Sequence, residues 1–155
     1  SQYLYLNATD AYANYVNYFY TKTNNTFGLQ TGDPTTNGTG RKYIAYCFAE
    51  VEGFSNFGSY VGTGASGNTV VTGFEPAFVM IKSVNSTSSW AIFDNKRDTT
   101  NPRHKYLRAN DSAAEVTTIP SILNFLSNGF EINVTSSGFN GSGGEYIYMA
   151  FANQF

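Results

Sequence analysis

Residues 140–152 read NGSGGEYIYMAFA, and residues 37–49 read NGTGRKYIAYCFA. The two stretches stand 103 positions apart and agree at Asn37/Asn140, Gly38/Gly141, Gly40/Gly143, Tyr43/Tyr146, Ile44/Ile147, Phe48/Phe151 and Ala49/Ala152. In each, an Asn- and Gly-rich turn leads into an unbroken run of aromatic and aliphatic residues, which marks a strand. Along the first run Tyr43, Ala45, Cys47 and Ala49 share one face, while Ile44, Tyr46 and Phe48 share the other. Both faces are apolar, so 42–50 and 144–152 are predicted to be central strands, covered on both sides, in equivalent positions of two related sheet elements.

The repeat extends outward from this pair. The same offset lays Asn25-Thr26-Phe27 on Asn128-Gly129-Phe130, and an offset of 101 lays Tyr5–Asp10 on Tyr106–Asp111. Residues 1–54 therefore correspond to 102–155, and 57–101 have no earlier counterpart. A unit of this length is too long for a solenoid or a propeller blade. The expected organisation is the back half of a first copy over 1–54 and a complete second copy over 55–155, as two units or one compact sandwich.

Further strands are predicted at 3–7, 15–22, 26–30, 57–63, 68–73, 77–84, 89–95, 104–108, 122–126 and 129–134, with Gly-rich turns such as 62–68 and 136–144 between them. A short helical turn is expected within Ala109–Pro120, where Asp111-Ser112-Ala113-Ala114-Glu115 has capping character. No stretch holds an apolar stripe at helical spacing for three turns. The fold class is all-β: an antiparallel β-sandwich or jelly roll of lectin-like form with an internal repeat of about one and a half units.

Composition narrows the function. Charged residues make up 13% and aromatics 17% of the 155 residues, against roughly 25% charged in an average domain. The net charge of −2 leaves no electrostatic footprint for nucleic acid. Lys96, Arg97, Arg103, Lys105 and Arg108 do gather, but Asp94, Asp98 and Asp111 are interleaved with them, so a solvated, self-compensating loop is expected. One cysteine excludes an intrachain disulfide framework. No run approaches the length of a membrane span, and no membrane insertion is expected. Because the chain opens inside the strand-like run Tyr3-Leu4-Tyr5-Leu6, it is expected to be a fragment, a processed chain or the ordered part of something longer.

No residue pattern points to catalysis, a cofactor or a metal. His104 is the only histidine and lacks the cluster of ligands that a metal needs. Cys47 matches Ala150 in the repeat, so it is expected to be a buried, inert thiol. Paired carboxylates could cleave glycosides, yet Asp94, Asp98, Glu50, Glu52 and Glu75 sit in no motif, and Asp94-Asn95-Lys96-Arg97 reads as a turn with an ion pair. Asp10 and Asp111 recur after Tyr-Leu-x-Ala-x, which suits turn formation. Gly62–Gly67 only loosely matches a dinucleotide fingerprint and has no crossover helix after it. The tyrosines at 12, 15, 18 and 20 crowd one segment that the second copy fills without Tyr. They either fill a sheet face or offer rigid area with a polar tip for recognition. Tyr12, Tyr15, Tyr18 and Tyr20 are thus the candidate binding residues.

Gly73-Phe74-Glu75-Pro76-Ala77-Phe78-Val79-Met80-Ile81-Lys82, then Trp90, Asp94 and Arg97, then Phe125–Phe130 and Asn140–Ala152 together resemble a functionally uncharacterised domain of tailed-bacteriophage tail and virion-appendage proteins, especially marine ones. The resemblance implies a structural and receptor-binding module of a tail fibre or surface appendage, located on the virion or outside the cell. It implies assembly and attachment to host-surface glycans or proteins. Self-association as a homo-oligomer or fibre is expected from residues 1–54, whose apolar strands lack an equivalent of 57–101 to cover them and either dock on a neighbouring subunit, the favoured solution, or fold back on the complete copy. The resemblance transfers no catalytic residue. The alternatives are a purely structural subunit of an extracellular filament and a carbohydrate-active enzyme on a jelly roll.

Overall fold

The computed structural model describes residues 2–15, 19–30 and 32–153, together with the backbone but not the side chain of Tyr20. The chain is all-β, with twelve strands among the described residues: β1 (Gln2–Tyr3), β2 (Ala13–Asn14), β3 (Phe19–Lys22), β4 (Phe27–Leu29), β5 (Ser55–Val61), β6 (Asn68–Val71), β7 (Phe78–Ser83), β8 (Ala91–Asp94), β9 (Leu107–Arg108), β10 (Leu123–Leu126), β11 (Gly129–Ile132) and β12 (Glu145–Phe151). They divide between two compact units, Ser1–Tyr3 with Tyr12–Phe48 and Leu4–Ala11 with Ala49–Phe155.

The larger unit is a sandwich of two antiparallel sheets. One has the order β5-β12-β7-β8-β9 and the other β10-β11-β6. β12 is central because its two edges are both taken: Tyr146 lies opposite Tyr60 of β5 and Ser83 of β7, and Ala150 opposite Asn56 and Val79. Period-two alternation decides what each strand buries. Tyr146, Tyr148 and Ala150 turn inward with Val79, Ile81, Ala91 and Phe93. Val70, Leu123, Phe125, Phe130 and Ile132 meet them from the smaller sheet. Phe130 stands edge-on to Tyr60 and Tyr148, with centroids at 6.2 and 5.3 Å. Tyr60 stacks on its cross-strand neighbour Tyr146 at 4.9 Å, the kind of pair that stabilises a sheet. The phenol of Tyr148 occupies space that a Cβ on Gly58, directly opposite, would fill.

The outer face of β12 is half-buried rather than covered. Phe151 gathers the rings of Phe54, Phe57 and Phe78 there. Beyond Met80 the same face of β7 carries Lys82, whose side chain is fully buried. Its ammonium donates to Ser83 O at 2.5 Å and lies 3.4 Å from Thr9 O, so the segment Leu4–Ala11 is pinned to the sandwich.

The smaller unit holds two hairpins, β1–β2 and β3–β4. β3–β4 is the repeat counterpart of β10–β11. The expected strand at 42–50 does not form: residues 42–50 enter no ladder. A strand exists only where a neighbour takes its N–H and C=O groups. The neighbours of β12 are β5 and β7, and residues 57–101, which hold most of β5 and all of β7, have no earlier counterpart in the sequence. Ile44, Tyr46 and Phe48 stand 81, 82 and 62% exposed instead of buried. The short helical turn expected in 109–120 is also absent. Asp111 does accept the amide of Ala113 at 2.8 Å, but the chain then returns to bridge Tyr106 with Val116. Glu115 is drawn to Arg97 at 2.6 Å instead of capping a helix.

Candidate functional site

The turn before the missing strand folds as the turn before β12 does. Asn37 N donates to Asp33 O, and Asn140 N to Ser136 O, both at 2.8 Å. The hydroxyl of Tyr43 accepts from Gly38 N at 2.9 Å and donates to Pro34 O at 2.9 Å. The hydroxyl of Tyr146 accepts from Gly141 N at 2.9 Å and donates to Ser137 O at 2.7 Å. Gly40 and Gly143 take φ of 73° and 71°, a left-handed turn that a side chain would strain. The motif is therefore locally encoded and closes without the rest of its unit.

Between this turn segment and the β3–β4 hairpin lies an apolar cleft of about 580 Å³, whose lining includes Phe19, Phe27, Leu29, Tyr43, Tyr46 and Cys47. Cys47 is exposed, not buried as expected; its counterpart Ala150 is fully buried between β5 and β7. The thiol was expected inside because its strand was. The cleft went unread in the sequence, although the repeat held the signal: Tyr43 and Phe27 are the counterparts of Tyr146 and Phe130, the two rings that hold Tyr60 between them.

Of the candidate tyrosines, Tyr12 and Tyr15 flank β2, 37 and 43% exposed. Tyr15 also bonds to the Asp33 carboxylate. Burial alone would raise the pKa of that carboxyl, but the amides of Thr35 and Thr36 and the Tyr15 hydroxyl hold it below its ordinary value. Neither Tyr12 nor Tyr15 lines the cleft. Tyr18 lies outside the described residues, as does the side chain of Tyr20.

The other candidates are built into the sandwich. Asp94 accepts the amides of Lys96 and Arg97 at 2.9 and 2.8 Å and pairs with the Arg97 guanidinium at 2.5 Å, the expected turn. The basic loop compensates itself but is not simply solvated: Asp98 and Arg103 are both 5% exposed, and the Arg103 guanidinium lies 4.2 Å over the Phe125 ring. His104 Nδ1 is 3.3 Å from Asp98. Glu52 and Glu75 are exposed, and Glu50 reaches Asn56 at 3.5 Å. Among the described residues no three His, Cys, Asp or Glu stand together as metal ligands, and no helix is long and apolar enough to cross a membrane. Lys82 was missed, since an isolated lysine in a strand gives no sign of burial; desolvation lowers its pKa, partly opposed by Asp10.

The sequence matches, over residues 1–154, the family described as Domain of unknown function (DUF7483). The chain belongs to this family. No curated protein and no solved structure matches it. The family match spans both repeated stretches, 37–49 and 140–152.

The carboxylates of Asp94 and Asp98 give the sandwich a pH signature. Burial alone would raise both pKa values. Amide donors outweigh it, those of Arg97 and Lys96 at Asp94 and of His104 and Lys105 at Asp98, and hold both below the ordinary value. A depressed carboxyl pKa stabilises the fold fully above the unfolded value, about 3.9, and that stability is lost as pH falls through the folded pKa. Acid titration of the folded chain should therefore show stability falling below about pH 4, with a shallower fall in Asp94→Asn/Asp98→Asn. Equal slopes in the two proteins would refute this origin.

Proposed function

We propose that the chain is a non-catalytic structural and receptor-binding module of a phage tail fibre or surface appendage, acting on the virion in assembly and in attachment to host-surface glycans or proteins. The observation that carries the proposal is how the side chains are employed. The carboxylates, arginines and histidine singled out as candidate chemistry are bound into turns and packing, or stand apart on the surface. The surface of the smaller unit is instead aromatic, an apolar strip and a pair of half-exposed tyrosines. Such area suits contact with polypeptide or sugar rather than bond cleavage. The quoted motifs supply the phage context. The exposed strip equally favours the filament reading, in which self-association is the whole function.

Antibody against the chain should label tails or appendages of purified virions. In parallel, the protein should be retained on host-envelope glycans without turnover, and Tyr12→Ala/Tyr15→Ala should weaken retention by about tenfold or more. Turnover abolished by a single carboxylate substitution would establish the enzyme instead, and absence of label from particles would remove the phage assignment.

A further inference from the structure

We infer that Leu4–Ala11 is an exchangeable arm: the seat it fills on the sandwich takes the same arm from a second copy of this chain, and the exchange links copies to one another. The inference rests on the assembly role proposed above and names the contact that performs it. Connectivity singles the arm out. Leu4–Ala11 belongs to the sandwich unit, while the stretches on either side of it, Ser1–Tyr3 and Tyr12–Phe48, belong to the smaller unit. The chain therefore passes from one unit to the other after Tyr3, after Ala11 and after Phe48. Once the arm leaves its seat, the covalent link between Phe48 and Ala49 is what still ties it to its own sandwich. Residues 41–48, which lead to that link, enter no ladder, so no ladder has to break there when the arm changes chains.

The seat is made to hold main chain. Trp90 Nε1 donates to Tyr5 O at 2.9 Å, Ser88 N donates to Thr9 O at 2.9 Å, and the Lys82 ammonium lies 3.4 Å from the same Thr9 O. Tyr5 and Leu6 are 48 and 54% exposed, so carbonyls rather than these side chains carry the recognition. Within the arm, Ala8 N donates to Tyr5 O at 3.3 Å, a turn that the arm forms from its own residues and takes with it. The repeat shows that the loop before β8 receives this motif. The counterpart segment, Tyr106–Asp111, docks on the same loop: Ala109 N donates to Trp90 O at 2.9 Å, and Asn110 Oδ1 accepts from Trp90 N at 2.8 Å. Trp90 thus binds both copies of Tyr-Leu-x-Ala-x-Asp.

An empty seat is unfavourable. Lys82 is fully buried, and without the arm its ammonium, the Ser88 amide and the Trp90 indole each lose an acceptor. The seat therefore selects for an arm, and every copy of the chain carries one. Exchange keeps each of these contacts and changes only which chain supplies it, which makes it a low-cost route to association. Against it stands the tether, since a short flexible link holds a chain's own arm at an effective concentration on the order of millimolar. Exchange therefore belongs to crowded copies, as in an assembled appendage. Two chains that trade arms close as a dimer, whereas each chain handing its arm to the next gives an open filament.

The test uses the full chain with Cys47→Ala, which removes the only native thiol. A chain carrying both Thr9→Cys and Ser88→Cys should cross-link within itself at micromolar concentration, because a backbone hydrogen bond joins the two positions. Two further populations then carry Thr9→Cys alone and Ser88→Cys alone. Mixed and oxidised at micromolar concentration, they should give almost no disulfide between them. After incubation at concentrations on the order of millimolar, the mixed disulfide should rise by about tenfold or more above the dimers of either population alone. Trp90→Phe in both populations keeps a ring and removes the donor to Tyr5 O. It should speed the exchange by about threefold or more and leave the final yield unchanged, since the bond is lost equally from both arrangements. A rate indifferent to Trp90→Phe would mean chance collision of thiols and would overturn the inference. So would the absence of mixed disulfide at millimolar concentration when the double variant cross-links within itself. If the mass in solution then still shows oligomers, the assembly role stands on another contact; if the chain is monomeric throughout, that role fails as well. A double variant that forms no internal cross-link would place the arm away from Ser88 and overturn the inference at its first step.

Discussion

Phe130→Ala is expected to destabilise the sandwich by about 3–5 kcal/mol, a large share of the about 5–15 kcal/mol that holds an ordinary domain together. The ring is fully buried and sits edge-on between Tyr60 and Tyr148. Its removal leaves a cavity that two other aromatics border and that a β-strand backbone cannot close. The repeat supplies an internal control. Phe27 occupies the corresponding position in β4, is 43% exposed, and has one aromatic neighbour, Phe19, at 5.6 Å. Phe27→Ala should cost no more than about 1 kcal/mol. Urea unfolding followed by far-ultraviolet circular dichroism reads both units and gives the two costs from the shift of the midpoint at constant slope. Comparable costs would mean that Phe27 is buried in solution, contrary to its exposure here.

That control also shows why the sequence was legible in one copy and misleading in the other. β5, β7, β8, β10, β11 and β12 lie within or nearly within the stretches where alternation placed them, because in the complete unit each strand finds its neighbours within the chain. Residues 43–49 carry the same local code as β12 and its turn closes in the same way, yet they form no strand. A ladder is a property of at least two segments, and local pattern cannot say whether the second is present. The misplacement of Cys47 follows from that one error. The helical turn expected at 109–120 failed for a related reason: Glu115, read as part of a capping pattern, had a stronger partner in Arg97, eighteen residues back. Lys82 lies at the far limit of legibility. Its burial depends on Ser83 O, Ser86 O, Ser88 Oγ and Thr9 O converging on one ammonium, and nothing near it in sequence announces Thr9. Of the candidate binding site, the tyrosine cluster was visible as composition. The cleft was visible only as a relation between Tyr43, Phe27 and the absent equivalent of Tyr60.

Gly62→Ala should be as damaging as the loss of a core ring, about 3–5 kcal/mol, although it adds a single methyl group. Gly62 ends β5 against the turn that precedes β12. A Cβ there would lie 2.1 Å from Gly141 O and 2.9 Å from the carbonyl carbon of Asn140, so it meets backbone on the facing segment and no flexible side chain can move aside. The strand end and the turn must separate. The same separation stretches Gly62 N to Gly144 O and Gly143 N to Gly62 O, now 2.8 and 2.9 Å. It also draws Thr63 away from the buried Asn140 carboxamide, which is left under-bonded in a site without water access. Gly67→Ala is the comparison that isolates the contact. Gly67 has φ +90° but open space at the Cβ position, so it pays backbone strain alone, about 1–3 kcal/mol. Thermal and urea unfolding of the two variants should rank Gly62→Ala as the less stable. If Gly62→Ala unfolds within about 1 kcal/mol of the native chain, then β5 and the 140–144 turn are not closely apposed.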